Sequence, residues 1–245
     1  MTNYKNCSAV TDQQATIMQN NPLRIQSLPT GDIIDFYLPI EIESGIDEYI
    51  DFFRAVTDAK STDTIVVHIN CYGGDINTAF NIIDVLNQSQ ARVQINLEGE
   101  CASAASMIML CGDQWSISEH SRVMIHAWSS WKVGKWNEQQ SSFDFDKKWL
   151  EPAFRDTYKD FLTESEIEDV LRGKDIYLNS EETRNRLEKY QEKDIKKQEL
   201  LQSIAQKHQD EINKEIEVAL RNFEESENKP TKKTTKSPVK KLLKK

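Results

Sequence analysis

Two side chains that could carry out nucleophilic hydrolysis, Ser103 and His126, each follow an apolar segment of the chain. A serine hydroxyl is a weak nucleophile at neutral pH unless a neighbouring base accepts its proton. The apolar run 93–97, ended by Gly99, and the small and apolar residues 102–110 predict a strand, a sharp turn and a buried helix, with Ser103 at the helix start. Serine before a helix is also a common N-cap, and a histidine after a strand such as 123–125 is often a hydrogen-bonded core residue. These residues alone therefore leave both interpretations open.

A pair of glycines, Gly73 and Gly74, lies between the apolar run 64–69 and a helical pattern at 78–86. Glycines allow a backbone to approach a ligand closely and to expose its N–H groups. The segment contains neither G-x-x-x-x-G-K-[ST] nor G-x-G-x-x-G, so it does not indicate a nucleotide site, and we expect no cofactor. One side of an oxyanion hole and a tight turn without chemistry are the two interpretations that remain.

Strand and helix patterns alternate along the chain. Strands are predicted at 33–38, 64–69, 93–97, 115–117 and 123–125, and helices at 46–59, 78–86 and 102–110. This alternation predicts an α/β fold with right-handed crossovers. Reactive groups in such folds gather at the carboxyl ends of the strands. We therefore expect the glycine pair, Ser103 and His126 to lie at one edge of the sheet.

The composition is that of a globular protein, with 38% hydrophobic and 29% charged residues among 245. The N-terminal residues lack an apolar signal core, and no apolar run approaches the roughly 18 residues of a membrane helix. We therefore expect a cytoplasmic protein without membrane contact. The four cysteines have no metal-ligand spacing, so we expect reduced thiols and no metal site.

The sequence divides into four parts. Residues 1–30 are polar without a clear period and are predicted to form a flexible arm, whereas 31–190 carry the α/β pattern. Residues 191–228 are predicted to form a charged amphipathic helix whose thin apolar stripe favours pairing with another helix; a solvated single helix is the alternative. Residues 229–245 contain eight lysines and no acid, which predicts a disordered basic tail.

Three motifs resemble, in order and spacing, those of the Clp protease proteolytic subunit. They are Ile-Asn-Cys-Tyr-Gly-Gly-Asp at 69–75, Gly-Glu-Cys-Ala-Ser-Ala at 99–104 and Ser-Arg-Val-Met-Ile-His at 121–126. The chain is also similar to the related head-maturation proteases of tailed bacteriophages, and the similarity covers residues 31–190. The resemblance implies the Clp and crotonase type of α/β fold, in which β-β-α units repeat as a superhelix, followed here by the helical extension and basic tail.

By this resemblance, Ser103 is the nucleophile and His126 the general base of a serine endopeptidase. The backbone N–H groups of Gly74 and Ala104 would form the oxyanion hole. A second serine, Ser106, lies one helical turn further along, and its spacing from the flanking glycines does not match the family motif. We therefore expect replacement of Ser106 by alanine to leave activity intact.

The third member of the triad departs from the family pattern. The family has an aspartate shortly before a Phe-Leu-Ser-Ala-x-Glu-Ala segment, which corresponds here to residues 177–183, and strict alignment puts Leu171 at the position of the acid. Counting forward from His126 reaches Asp175 instead. We take Asp175 as the acid and Asp169 as the second choice, since the role requires a carboxylate that orients the imidazole.

The resemblance also implies partners. We expect a protein or peptide substrate and a homo-oligomer such as a ring. The charged helix and tail lie outside the compact peptidase unit and favour the phage type, with capsid or scaffold proteins as partners in the host cytoplasm. A subunit that docks an unfoldase ATPase is disfavoured. The lysine tail could contact a polyanion such as DNA.

Two other classes stay open as alternatives. One is a catalytically silent Clp-like component that serves as a structural or scaffolding protein through its C-terminal helix. The other is a crotonase-type acyl-CoA enzyme, which shares the fold and also uses backbone oxyanion holes. Such an enzyme would not require Ser103 and His126 at these positions.

Overall fold

The computed structural model describes residues 22–129 and 135–227, which form a mixed α/β structure. One sheet contains the seven described strands: β1 Leu23–Leu28, β2 Gly31–Tyr37, β3 Thr64–Cys71, β4 Arg92–Ala102, β5 Gln114–Ile117, β6 Arg122–Ile125 and β7 Ile176–Asn179. The α-helices described are α1 Ile50–Asp58, α2 Ile76–Gln88, α3 Ala104–Met109, α4 Trp136–Tyr158, α5 Glu164–Leu171 and α6 Ser180–Glu227. A 3₁₀ turn, Asp47–Tyr49, precedes α1. None of these helices is both long enough and apolar enough to cross a membrane.

Parallel strands form the centre of the sheet, so the α/β prediction is confirmed for this part of the chain. The strand order is β1-β2-β3-β4-β6-β7, and β5 also pairs with β4. The β2–β3, β3–β4 and β4–β6 pairs are parallel, whereas β1 and β7 pair antiparallel at the two edges. The carboxyl ends of β3, β4 and β6 therefore lie next to one another.

The helices bury apolar side chains against the sheet. In α1 these are Phe52 and Val56, and Phe36 of β2 stacks on Phe52 with ring centroids 3.9 Å apart. Every residue of α3 is buried. A helix of six residues has little stability of its own, so packing against its neighbours holds α3 in place.

Part of the predicted N-terminal arm is instead a strand. Residues 23–28 form β1, whose main chain pairs with β2 from Leu23 opposite Phe36 to Leu28 opposite Gly31. The prediction of a flexible arm is wrong for this segment, because a tight turn at 29–30 lets the chain fold back and pair its backbone groups. Residues 1–21 of the arm lie outside the described residues.

β4 also extends further than its apolar pattern predicted. The predicted strand ends at residue 97, but pairing continues past Gly99 to Cys101, opposite Cys71, and to Ala102, opposite Met124. The side chain of Asn70 accepts a hydrogen bond from the N–H of Glu100 at 3.0 Å. A Cβ on Gly99 would lie 2.4 Å from Asn70 Oδ1. The glycine therefore makes room for a neighbouring side chain without ending the strand.

The chain divides into two compact units between Lys193 and Asp194. α6 begins in the first unit, where Leu187 is buried. In the second unit, large apolar side chains of α6 are exposed, namely Ile195, Leu200, Leu201, Ile204, Ile212, Ile216, Val218 and Leu220. The predicted lysine tail, 229–245, lies outside the described residues.

An ion pair joins the start of α5 to α6 in the first unit. Arg186 Nη2 donates to Glu166 Oε1 at 2.7 Å, and Nη1 donates to Oε2 at 3.1 Å. The backbone N–H of Thr163 donates to the same carboxylate at 2.8 Å. Arg186, helped by Thr163, lowers the pKa of Glu166 to about 2. The folded protein therefore binds the Glu166 proton more weakly than the unfolded chain.

We expect Glu166→Gln to lower the free energy of unfolding at pH 7 by about 1.5–3 kcal/mol, the usual contribution of hydrogen bonds to a charged group. A carboxyl group whose pKa falls on folding stabilises the protein at pH values above its ordinary pKa, here near 4.5. That stabilisation is lost as the pH falls towards 2. Urea unfolding at several pH values would measure this, with exposed Glu181→Gln as the control. A difference that stayed constant down to pH 3 would contradict the expectation.

Candidate active site

Ser103 occupies the turn between β4 and α3 in a backbone conformation that side-chain-bearing residues rarely adopt, with φ 54° and ψ −126°. Among the described residues it is the one non-glycine with a positive φ. Its N–H donates to the carbonyl oxygen of Met124 at 2.8 Å. Such a conformation costs about 1–3 kcal/mol and persists only where the surrounding structure holds it. The Ser103 side chain makes no capping hydrogen bond to α3, so the N-cap interpretation does not account for this serine.

His126 directly follows β6, and its imidazole contacts the Ser103 hydroxyl. The distance from His126 Nε2 to Ser103 Oγ is 2.7 Å. The contact depends on the parallel pairing of β4 with β6, in which Cys101 lies opposite Val123 and Ala102 opposite Met124. Both side chains therefore emerge at the same end of adjacent strands.

The glycine pair lies directly against this turn. A Cβ on Gly73, whose φ is 91°, would be 2.7 Å from both the Ser103 Cβ and the Ala102 carbonyl oxygen. A Cβ on Gly74 would be 2.2 Å from the carbonyl oxygen of Ile42. Main chain thus passes both glycines too closely for any side chain, which is why this loop contains two of them.

The two aspartates predicted from the sequence lie in different surroundings. Asp175 immediately precedes β7, and the antiparallel register ends one residue short of it, with Ile125 opposite Ile176. Its carboxylate is exposed and accepts a long hydrogen bond, 3.5 Å, from the hydroxyl of Tyr177. Asp169 instead forms an ion pair with Lys174 at 2.8 Å.

A pocket of about 330 Å³ opens beside Ser103 and His126. Gly74 and Ala104 both line it, so the two predicted oxyanion-hole residues and the predicted catalytic pair share one cavity. Apolar side chains dominate the remaining lining, which includes Phe80, Met107, Trp128, Trp149, Leu150, Phe154 and Tyr158. A pocket of this size lies at the lower end of those that bind small ligands.

The sequence did not reveal that α4 forms one wall of this pocket. Asp146, Leu150, Phe154 and Tyr158 recur every four residues along α4, and all of them line the pocket. Asp146 thereby adds a carboxylate to the pocket that His126 also lines. The four-residue spacing is visible in the sequence, but it is shared by any helix that packs on a core, so it indicates burial and not a site.

Two cysteines lie beneath the site on the paired strands β3 and β4. Burial raises the pKa of the Cys71 thiol to about 11 and that of Cys101 well above its ordinary value. Both thiols therefore stay protonated at neutral pH and are poor nucleophiles. No cluster of three or more His, Cys, Asp or Glu side chains in the described ranges is arranged to hold a metal ion.

The comparison with protein families gives a match to the Clp protease family over residues 28–151. The chain belongs to the Clp protease family. Membership in this family indicates a peptidase, a hydrolase that acts on protein substrates. The matched segment contains Gly74, Ser103, Ala104 and His126 but ends before Asp175. No curated protein matches the chain.

We expect Gly73→Ala to lower the peptidase activity about 100-fold or more. The new methyl group would displace Ser103 from His126, and displacements of about 1 Å between reacting groups can cost this much. Gly45→Ala is the matched control, since Gly45 also has a positive φ, 113°, but no atom lies within 4 Å of an added Cβ. Rates and melting temperatures of both variants would be compared. Equal loss of activity in the two variants would contradict this explanation.

Proposed function

We propose that this protein is a serine endopeptidase in which Ser103 is the nucleophile and His126 the general base. The observation that carries the proposal is the 2.7 Å contact between Ser103 Oγ and His126 Nε2 at a strained strand-to-helix turn. Ser103 Oγ would attack the carbonyl carbon of the peptide bond while His126 Nε2 takes its proton. The same proton would then pass to the leaving amine, and water would hydrolyse the acyl-enzyme by the reverse transfers.

The oxyanion formed by this attack requires hydrogen-bond donors. We assign the role to the backbone N–H groups of Gly74 and Ala104, which line the same pocket as Ser103. Donors of this kind commonly contribute about 2.7–4 kcal/mol to the stability of the transition state. The absence of a side chain on Gly73 supports the assignment, because it lets the β3 loop approach the turn at Ser103.

For the triad acid we propose Asp175. The β6–β7 register supports this choice, because its last pair is Ile125 with Ile176, and one further step along both strands would pair His126 with Asp175. The ion pair of Asp169 with Lys174 disfavours the second choice, because that carboxylate already has a cationic partner at 2.8 Å. The acid would accept a hydrogen bond from the imidazole and stabilise its cation during the reaction.

The setting of the reaction is a further part of the proposal. We propose the phage head-maturation type of Clp-like protease, with its superhelical fold of repeated units, acting as a homo-oligomer on capsid or scaffold proteins. The exposed apolar side chains of α6 from Ile195 to Leu220 support an association through that helix. A catalytically silent scaffolding component is the alternative, and it is favoured only by the exposure of Asp175.

We expect a fluorophosphonate probe to label Ser103 and Ser103→Ala to abolish both labelling and peptide cleavage while the fold is retained. The reason is that the substitution removes only the attacking oxygen. Mass spectrometry of the labelled peptide would identify the modified serine, and circular dichroism would verify the fold. Wild-type protein that resists the probe and cleaves no peptide would contradict the proposal and favour the silent alternative.

For the acid, we expect Asp175→Asn to lower kcat severely, by about 10⁴-fold in the strongest comparable case, since an amide can hold the wrong imidazole tautomer. Asp169→Asn should have a mild effect. The same kinetic series should include Asp146→Asn, because Asp146 lines the pocket. Near-wild-type rates for Asp175→Asn would exclude it, and a severe loss in Asp146→Asn would transfer the role to that residue.

We expect removal of residues 191–245 to leave hydrolysis of a small peptide intact but to weaken assembly, because every proposed catalytic residue precedes Leu187. Peptide turnover and particle mass by light scattering would be measured on the truncated and full-length proteins. Unchanged mass with lost activity would show that the peptidase unit extends beyond Tyr190.

A further inference from the structure

Three hydrogen-bonding groups form a chain from the pocket wall to the backbone of Ser103. The hydroxyl oxygens of Tyr158 in α4 and Ser106 in α3 are 2.6 Å apart. Ser106 Oγ is in turn 2.6 Å from the carbonyl oxygen of Ser103. Ser106 is fully buried and Tyr158 is 1% exposed, so bulk water does not compete for these bonds.

The direction of the bonds follows from the donors available. The Ser103 carbonyl can only accept, so Ser106 must donate its single hydroxyl hydrogen to it. The Ser106 oxygen then accepts from Tyr158, whose O–H is the donor. Burial raises the pKa of Tyr158 above its ordinary value, which keeps this donor protonated. Successive hydrogen bonds in a buried chain also polarise one another.

The carbonyl that ends this chain belongs to the same peptide unit as the N–H of Ala104. In a planar trans peptide the C=O and the following N–H point in opposite directions. Drawing the Ser103 carbonyl towards Ser106 therefore turns the Ala104 N–H the opposite way. The same carbonyl also accepts the backbone N–H of Ser106 at 2.9 Å, so the hydroxyl bonds act together with that bond in holding ψ of Ser103, the residue whose backbone conformation is the strained one.

We propose that Ser106 and Tyr158 are positioning residues that orient and polarise the peptide unit between Ser103 and Ala104, and so aim its N–H at the oxyanion. The inference rests on the proposed peptidase function and deepens its account of the oxyanion hole. It also replaces the expectation from the sequence that Ser106→Ala leaves activity intact. Neither side chain touches the reacting atoms in this account. Both act through the backbone of the nucleophile.

The consequence for kinetics is specific. An oxyanion donor whose N–H is wrongly oriented weakens binding of the transition state more than binding of the substrate. We therefore expect kcat to fall while KM changes little. We expect about a tenfold fall in kcat for Ser106→Ala and for Tyr158→Phe, less than the 10²–10³-fold loss on deleting an oxyanion donor outright. Because both residues act through the same series of hydrogen bonds, Tyr158→Phe should cause no further fall in kcat when Ser106 is already alanine.

The experiment measures kcat, KM and the pH profile on a quenched fluorogenic peptide, together with the second-order rate of fluorophosphonate labelling at Ser103. The variants are Ser106→Ala, Tyr158→Phe and the double variant. Thr157→Val is the matched control, since the Thr157 hydroxyl donates to the Ala153 carbonyl of its own helix, at 2.9 Å. We expect the control to keep wild-type rates and all variants to keep the pH midpoint of kcat/KM, because the His126 imidazole is not altered.

The outcomes separate the two levels of the proposal. Wild-type protein that is neither labelled nor active would refute the peptidase function itself. Labelled, active wild type with unchanged kcat in folded Ser106→Ala or Tyr158→Phe would refute the positioning role alone. If Ser106→Ala fails to fold, Tyr158→Phe decides the question, because it removes a single oxygen and leaves the Ser106 hydroxyl in place. If the falls in kcat of the two single variants multiply in the double variant, the two residues act independently. That outcome would also refute a single coupled series of hydrogen bonds.

Discussion

The backbone hydrogen bond from the Ser103 N–H to the Met124 carbonyl is the interaction on which the rest of the site depends. It continues the pairing of β4 with β6 one residue beyond the regular ladder and anchors a turn whose φ is unfavourable for serine. Without it, neither the strained turn nor the 2.7 Å contact with His126 would be fixed. The energy stored in the turn is offset by the fully buried helix that follows it, whose packing requires the chain to leave the strand at this angle.

The neighbouring elements add to this constraint from three directions. Gly73 lets the loop after β3 lie against the turn at Ser103, and Gly74 lets the main chain at Ile42 lie against the same loop. The edge strand β7 approaches from the far side of β6, and α4 closes the pocket above α3. The site is thus formed mainly by backbone groups at the ends of parallel strands, where few side chains are needed to define its geometry.

The sequence predicted those parts of the protein that depend on local pattern. Continuous apolar runs located β3 and β6, and the spacing of Ser103 and His126 from their strands indicated the pair that the structure brings into contact. It failed where distant backbone decides the outcome. β1 has no strong apolar pattern and forms because β2 offers a pairing partner. β4 continues through Gly99, where the missing side chain leaves room for Asn70. Asp146 and Tyr158 could not be connected with Ser103, since their proximity depends on how α4 packs against α3.

The position of α4 has a consequence for how proteins of this kind can diversify. α4 contributes one wall of the pocket, and the rest of the lining comes from the turn at Ser103, from Gly74 and the first turns of α2, and from the residues after β6. The family match ends at residue 151, part-way along α4, before Phe154 and Tyr158. Substitutions at the cavity-lining positions Trp149 and Leu150 would reshape what enters the pocket and leave Ser103 and His126 in place. Under the proposed function, selection could therefore alter the choice of substrate at these two positions, whereas Tyr158 in the same helix would stay tied to the chemistry.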